Sequence, residues 1–471
     1  MSTAAPRTRP TSASEEHVSS AVFADEVVTA AKVRFLTLPG LSGEFALITL
    51  DNGHDHTRPS TFGPGGLASL DAALDEVAAH SPAPVAIGVT GKPFIFAVGA
   101  DLSGVPAIPD RQAAREIAET GHRVFRRLKD SPVPTFAFVN GVALGGGLEL
   151  ALHCGYRTIA STAMVAFPEL FLGLVPGWGG TQLLPNLIGI DAAVTVIVEN
   201  ALAQNKTLPA PKAAKLGMAD AVFEPADFLE RSLEWAAGVL AGDVPVSRPE
   251  IDRGAWDDAI ARARAIVAGR TRNASPGALR AVELLDLARN GVDGDAFITG
   301  TAAEDDALAE LLMSDELRAS LYSFDLVNKR AKRPAGAPDK ALARKVTKVG
   351  VVGAGLMASQ LALLFVRRLE VPVVLTDIDQ ARVDKGVGYV HAELDKLASR
   401  GRLSADARNR LQGLVTGSLT KDAFADADLV IEAVFEEMSV KQQVFAEVEA
   451  VVSPECVLAT NTSALSVTEM A

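Results

Sequence analysis

Asn140-Gly141-Val142-Ala143-Leu144-Gly145-Gly146-Gly147-Leu148-Glu149-Leu150-Ala151 is the stretch on which the fold turns. It follows residues 133–139, an apolar run that reads as a strand, and leads into residues 148–154, which read as a helix. Three glycines at that junction let the backbone take positive φ and come close to a ligand. A helix starting there offers N–H groups without intrahelical partners and the positive end of its dipole. Such a point can hold a developing oxyanion, and Glu149 lands in the first helical turn beside it.

Outward from this stretch, strand and helix alternate. Residues 33–50 read as two strands around the turn Pro39-Gly40, 67–79 as a helix, 85–89 as a strand and 111–128 as an amphipathic helix. The alternation runs to about residue 222 and predicts an α/β layout with short strands. A second donor lies in the turn Val98-Gly99-Ala100-Asp101. With Gly146, Ala100 would supply two converging N–H groups that polarise a thioester carbonyl, and losing one such donor costs about 10²–10³ in rate. Glu169 follows Pro168 at the end of a short strand, ahead of Gly173-Leu174-Val175-Pro176-Gly177-Trp178-Gly179-Gly180-Thr181. Two carboxylates on one pocket can divide acid and base work on a water. Taken alone, a glycine triplet is more often a tight loop, and a Glu in a first turn more often a surface residue that complements the dipole.

The run 140–151 is similar to the signature of the crotonase (enoyl-CoA hydratase/isomerase) superfamily, as are Gly99-Ala100-Asp101-Leu102 and Pro168-Glu169-Leu170 with Gly173-Leu174-Val175-Pro176-Gly177. The resemblance implies a crotonase spiral (ClpP-like) fold. It also implies that the N–H groups of Ala100 and Gly146 hold the thioester oxygen. Glu149 and Glu169 would then position and activate the water and handle the α-carbon proton. Members that only isomerise double bonds usually keep one acidic residue, so the pair favours a hydratase. Leu183 stands where the family often has Arg, and residues 52–66 depart from the usual segment, which bears on CoA contacts and chain length. His54 and His56 in that loop read as solvated, and no metal is expected.

The pattern restarts after residue 347. Gly353-Ala354-Gly355-Leu356-Met357-Ala358 follows a strand and opens a helix, and Asp377 closes the next strand, which is the dinucleotide fingerprint in its proper context. Gly353 permits the tight turn, Gly355 lets a pyrophosphate approach, Ala358 takes the third glycine's place, and Asp377 would bind a ribose 2′-OH, favouring NAD. Asp428-Leu429-Val430-Ile431-Glu432-Ala433-Val434-Phe435-Glu436, Lys441 and Thr460-Asn461-Thr462-Ser463 resemble the 3-hydroxyacyl-CoA dehydrogenase family. That resemblance implies NAD contacts at Met357, Asp377, Val434, Phe435, Glu436, Lys441 and Ser463, with Ser463 also orienting the substrate oxygen. Asp325 loosely matches a substrate-contacting Asp of bifunctional relatives. The family's catalytic His lies downstream of the position matching Ser463. None of the seven histidines follows Ser463, so these 471 residues are expected not to form NADH from a 3-hydroxyacyl-CoA.

The expected organisation is a disordered arm over 1–30, a crotonase core over 31–225, a helical extension over 226–330, a linker over 331–346 and a truncated Rossmann domain over 347–471. That order resembles the α subunits of bacterial fatty-acid oxidation complexes, and implies acyl-CoA substrates, a thiolase β subunit as partner and an oligomer. Lys and Arg number 45 against 58 Asp and Glu, a formal charge of −13, which argues against a general nucleic-acid binder. Two cysteines, Cys154 and Cys456, make no disulfide scaffold and suit a reducing cytoplasm. Residues 1–30 hold no apolar h-region, and no span long and apolar enough to cross a membrane is expected. Two other outcomes stay open: another crotonase activity such as isomerisation or thioester hydrolysis, and a non-catalytic acyl-CoA- or NAD-binding subunit.

Overall fold

The structure, a computed structural model, describes residues 23–331, 334 and 336–471. The chain divides into two units, residues 1–335 and 336–471.

The first unit contains strands β1 (Ala30–Thr37), β2 (Glu44–Asp51), β3 (Ala86–Gly91), β4 (Phe94–Val98), β5 (Thr135–Val139), β6 (Gly141–Leu144), β7 (Tyr156–Ala160), β8 (Met164–Ala166), β9 (Leu208–Pro209) and β10 (Ala221–Phe223). They form two sheets, of order β1-β2-β3-β5-β7-β10 and β4-β6-β8-β9. The first is parallel except for the β1–β2 hairpin. Its inner strands β3 and β5 are buried along their whole length, which is why they read as continuous apolar runs rather than as alternation. β6 was not anticipated, because Asn140-Gly141 looked like the end of a strand. The chain instead turns at Asn140 and starts a second strand in the other sheet. There Gly141 lets Phe94 come close: a Cβ on Gly141 would stand 1.9 Å from the Phe94 carbonyl oxygen.

The helices of this unit that concern the site are α1 (Pro64–Ala79), α2 (Arg111–Lys129), α3 (Gly146–His153), α4 (Glu169–Leu172), α5 (Gly180–Ile188), α6 (Phe228–Ala241), α7 (Trp256–Thr271), α8 (Pro276–Leu287), α9 (Gly294–Leu312) and α10 (Asp315–Asp325). Helices α6 to α10 share one apolar core with the sheets, through Phe228, Trp256, Leu285, Phe297 and Leu317. The region 226–330 is therefore helical, as its pattern predicts, and is continuous with the core.

One expectation needs correcting. The disordered arm was placed over residues 1–30. Residues 1–22 lie outside the described residues, but 23–30 are tied down. Phe23 is buried. The Glu26 carboxylate accepts the Gly65 and Gly66 N–H groups at 2.9 Å each, capping the start of α1. Thr29 donates its hydroxyl to the Thr61 carbonyl. Nothing in local composition revealed this, because each partner is a long way along the chain.

Loop 52–59 is organised by one buried ammonium. Lys92 donates to Asn52 Oδ1 and to the His54, Asp55 and Arg58 carbonyls at 2.5–2.9 Å. The segment that follows pairs with the Ala100 turn: Val98 N–H donates to Ser60, Phe62 N–H to Gly99, and Asp101 N–H to Phe62. Lys92→Met should take the charged donor from all four oxygens and leave the His54 carbonyl without a hydrogen-bond donor among the described residues, since the other three keep a second donor, at a cost of about 1–3 kcal/mol. The expected result is a lower urea midpoint for the full chain and faster proteolysis within 52–59. An unchanged midpoint would contradict this role.

In the second unit, β11 (Val349–Val352), β12 (Val373–Thr376), β13 (Val415–Ser418), β14 (Leu429–Glu432) and β15 (Val457–Thr460) form an all-parallel sheet of order β13-β12-β11-β14-β15. Helices α11 (Leu356–Leu369) and α12 (Gln380–Ser399) cover one face. Val349 and Val351 point into that side, while Val352 points into a second core around Phe424 and Val448. The order reverses between β11 and β14, and such a switch point opens a crevice at the strand C-termini.

Candidate active site

The oxyanion position is built where the two sheets of the first unit meet the start of α3. Strand β4 shifts register against β6 between Ile95 and Ala97, a bulge of the kind that re-aims a strand end. Gly99 then takes φ 65° and turns the chain at Ala100. Opposite it, Gly145 takes φ 51° and ψ −127° as the residue before α3. Gly146 and Gly147 are glycines for a different reason, close approach. A Cβ on Gly147 would sit 2.1 Å from the Ala97 carbonyl oxygen, and one on Gly146 would sit 2.6 Å from the Trp178 ring and 3.6 Å from the Gly99 carbonyl carbon. Ala100 and Gly146 thus come together. Among the described residues neither N–H donates to a protein acceptor, so both remain for a ligand.

Both glutamates line the same cavity, of about 240 Å³, together with Ala100, Gly146, Trp178 and Phe324. They are held differently. Glu149 is 2% exposed, and its Oε1 accepts the Trp178 and Gly180 N–H groups at 2.8 Å each. Those donors belong to the start of α5, so a helix dipole also faces this carboxylate. Burial, and then the negative Glu304, push its carboxyl up to about 8, against the pull of those two N–H bonds. Glu169 has no such support: its Oε2 is buried without a hydrogen-bond partner. Burial first, and the charge of Glu149 second, raise its carboxyl well above the usual range. Two carboxylates in this state favour one negative charge and one proton between them. The donors on Glu149 put the charge there and leave the proton on Glu169.

Behind Glu149 stands a group that the sequence did not announce. Glu304, from the middle of α9, is fully buried. It accepts the Gly179 N–H at 2.6 Å, the Thr181 N–H at 2.9 Å and the Thr181 hydroxyl. His122 of α2 lies between Glu304 (2.8 Å) and Asp305 (2.6 Å). Burial opposes its charge, but those two carboxylates prevail and push the imidazole up to about 10, so it is a cation at neutral pH. His153, the last residue of α3, is the contrary case. Its Nδ1–H donates to the Glu149 main-chain carbonyl, and burial pushes it down to about 3, so the ring is neutral. Asp325 ends α10 and does not line the cavity, whereas its neighbour Phe324 does.

In the second unit the predicted cofactor residues gather at the switch point. Gly353 takes φ 107°, and a Cβ there would lie 2.8 Å from the Ala433 carbonyl oxygen, so the first turn packs directly on the end of β14. Ala358 is buried. A Cβ on Gly355 would meet nothing within 4 Å, which leaves open space before the α11 N–H groups. Asp377 accepts the Ala354 N–H at 2.8 Å and the Ile378 N–H at 2.7 Å, which fixes its carboxylate beside the turn. Met357, Phe435 and Ser463 are exposed, and Val434 N–H donates to Glu432. Lys441 sits behind this surface instead of on it. It is 1% exposed and binds Glu432 at 2.7 and 2.9 Å and Glu436 at 3.2 Å. Glu436 is also hydrogen-bonded by Thr462, which first among several causes holds its carboxyl below the usual range. The residues present fit a dinucleotide: a tight turn, open space at a helix start and an acidic side chain after the second strand. Among the described residues no cluster of His, Cys, Asp and Glu could hold a metal, and no helix is long and apolar enough to cross a membrane.

Residues 46–246 match the enoyl-CoA hydratase/isomerase family, and residues 348–471 match the 3-hydroxyacyl-CoA dehydrogenase NAD binding domain. The chain is 30% identical to a fatty acid oxidation complex subunit alpha of Shewanella frigidimarina, over 90% of this chain and 59% of that one. It is 34% identical to a peroxisomal fatty acid beta-oxidation multifunctional protein of Arabidopsis thaliana, over 72% of this chain and 46% of that one. It thus spans only about half to three-fifths of these relatives. Among solved structures, Pseudomonas aeruginosa DspI aligns at 32% identity over 45% of this chain and 82% of that one, with a TM-score of 0.39. The chain therefore joins a domain of the enoyl-CoA hydratase/isomerase family to an NAD-binding domain of the 3-hydroxyacyl-CoA dehydrogenase family.

Proposed function

We propose that the first unit adds water to trans-2-enoyl-CoA to give 3-hydroxyacyl-CoA, as a step of fatty-acid β-oxidation. The observation that carries this reading is the pairing of two unlike carboxylates, Glu149 and Glu169, on one cavity with two free N–H groups. The Ala100 and Gly146 N–H groups receive the thioester oxygen as it gains charge. Glu149 accepts a proton from the water, whose oxygen bonds to C3. Glu169 gives its proton to C2, so the bond order lost between C2 and C3 becomes one C–O and one C–H bond.

The second unit is assigned NAD, held at the Gly353–Ala358 turn with Asp377 on the adenosine ribose and Ser463 and Glu436 nearer the nicotinamide. Lys441 and Glu432 hold the 434–436 turn in place. NAD held there would supply a hydride acceptor; hydride transfer from a 3-hydroxyacyl-CoA is not assigned to these 471 residues, in which no His follows Ser463. The names of the relatives support acyl-CoA substrates. A thiolase subunit is the proposed partner, in an oligomer, and the cytoplasm is the proposed compartment, in keeping with two free cysteines.

The test is purified full chain with crotonyl-CoA and no NAD. Loss of the conjugated thioester absorbance, with 3-hydroxybutyryl-CoA as product, is expected. Free CoA as product would replace this reading with thioester hydrolysis. Isomerisation of a 3-enoyl-CoA without hydration would replace it with an isomerase.

A further inference from the structure

The four N–H groups at the start of α5 are shared out in strict alternation. Trp178 and Gly180 donate to Glu149, while Gly179 and Thr181 donate to Glu304. An isolated helix start leaves its first N–H groups to water or to a single cap. Here two buried carboxylates from α3 and α9 divide them, and the turn cannot shift toward one without drawing its alternate N–H groups away from the other. We propose that Glu304, clamped by His122, is a positioning residue for Glu149: it fixes the 178–181 turn and sets the charge that Glu149 faces. This rests on the hydratase reading for its kinetic consequence, but not for its structural one.

The charges facing Glu149 can be named. Glu304 lies across the turn, Glu169 lies across the cavity, and His122 lies behind Glu304 with Asp305 on its other nitrogen. The neutral His153 touches only the Glu149 main chain. Asp306, next in sequence, is turned outward to Arg115. Among the described residues, His122 is therefore the one cation directly on Glu304. Without it, two negative groups would share one helix start in a buried setting, an arrangement that burial penalises. The acidic triplet Glu304-Asp305-Asp306 thus divides its work. Two members reach His122 on α2 and the third pins α9 to the same helix.

The two neighbours pull Glu149 in opposite directions. The negative Glu304 holds its proton on, and the positive His122 draws it off; the effect of Glu304 exceeds that of either N–H bond taken singly. With Glu149 as base, its ionisation sets the rising limb of the pH profile. Glu304→Gln should move that limb to lower pH and lower kcat about 10- to 100-fold through a loosened turn. KM for crotonyl-CoA should stay unchanged, because Ala100 and Gly146 are untouched. His122→Gln should move the same limb to higher pH. Thr181→Val, which removes the hydroxyl donated to Glu304 and with it the acceptor of the Gln182 amide, provides a milder change should Glu304→Gln fail to fold.

The experiment compares pH profiles of kcat for the full chain and these variants on crotonyl-CoA, together with pH titration of tryptophan fluorescence. The Trp178 contribution is identified by Trp178→Phe. Opposite shifts for Glu304→Gln and His122→Gln, seen in both readouts, are the expected result. Shifts in one direction, or lost activity with an unmoved limb, overturn the proposal and leave Glu304 as packing alone. Should the parent not hydrate crotonyl-CoA, the hydratase reading falls, and the Trp178 titration still decides the role of Glu304 and His122.

Discussion

Glu169→Gln should lower kcat for crotonyl-CoA hydration by about 10³-fold, within the range for a group that transfers a proton in the transition state. The chain should keep its fold and its affinity for acyl-CoA. Glu169 has no hydrogen bond on Oε2, so the substitution removes no structural partner there. What disappears is the proton destined for C2. The pH dependence of the parent follows from the same pair. Glu149, pushed up to about 8, must be ionised to act as base, so activity rises as pH climbs through that region. Glu169, raised well above the usual range by burial and by the charge on Glu149, must keep its proton, so activity falls again when it ionises. The profile is a bell displaced to the alkaline side of an ordinary pair of carboxylates. Steady-state rates from about pH 5.5 to about pH 10 would check it. A variant that hydrates at the parental rate would remove Glu169 from the mechanism.

Gly145→Ala should cost about 10²-fold in kcat at a modest cost in stability. A Cβ at this position would stand 2.2 Å from Glu169 Oε1, so the carboxylate must swing away, and displacements near 1 Å cost about that much. The backbone there has φ 51° and ψ −127°, a region almost restricted to glycine, which adds about 1–3 kcal/mol of strain. Gly147→Ala provides the contrast. Its Cβ would meet the Ala97 backbone 2.1 Å away, which cannot swing aside, so that variant should lose folding together with activity. Rates and urea midpoints measured side by side separate the two glycines. Parental kcat in a folded Gly145→Ala chain would refute the proposed contact.

The parts of this architecture that the sequence reveals are those whose signals are local. Gly353 to Ala358 and Asp377 fall within two strands and the helix between them, and they are found together at the sheet's switch point. The Gly145–Glu149 run likewise carries its own turn and helix start. Glu304 and His122 could not be found this way. They stand 182 residues apart, in helices whose patterns read as ordinary amphipathic faces. A buried His flanked by Glu304 and Asp305 has no signature until α2 and α9 are packed. Lys441 fails in a subtler way. The family pattern points to it, but only burial reveals that its ammonium is spent on Glu432 and Glu436. The ordered segment 23–30 escaped notice because Glu26 earns its place by capping a helix 39 and 40 residues further on.

The sharing of the α5 start between Glu149 and Glu304 has a consequence for synthesis. Glu304 is added 123 residues after Thr181. At about 5–20 residues per second, the ribosome adds that length in roughly 6–25 s. Throughout that interval the nascent chain has the first acid of the pair but not the second, and Gly179 and Thr181 lack their buried acceptor. The set of acceptors around the α5 start is thus completed late, by a helix outside the stretch 46–246 that identifies the family, and the smallest stretch of chain that holds both carboxylates extends through α9.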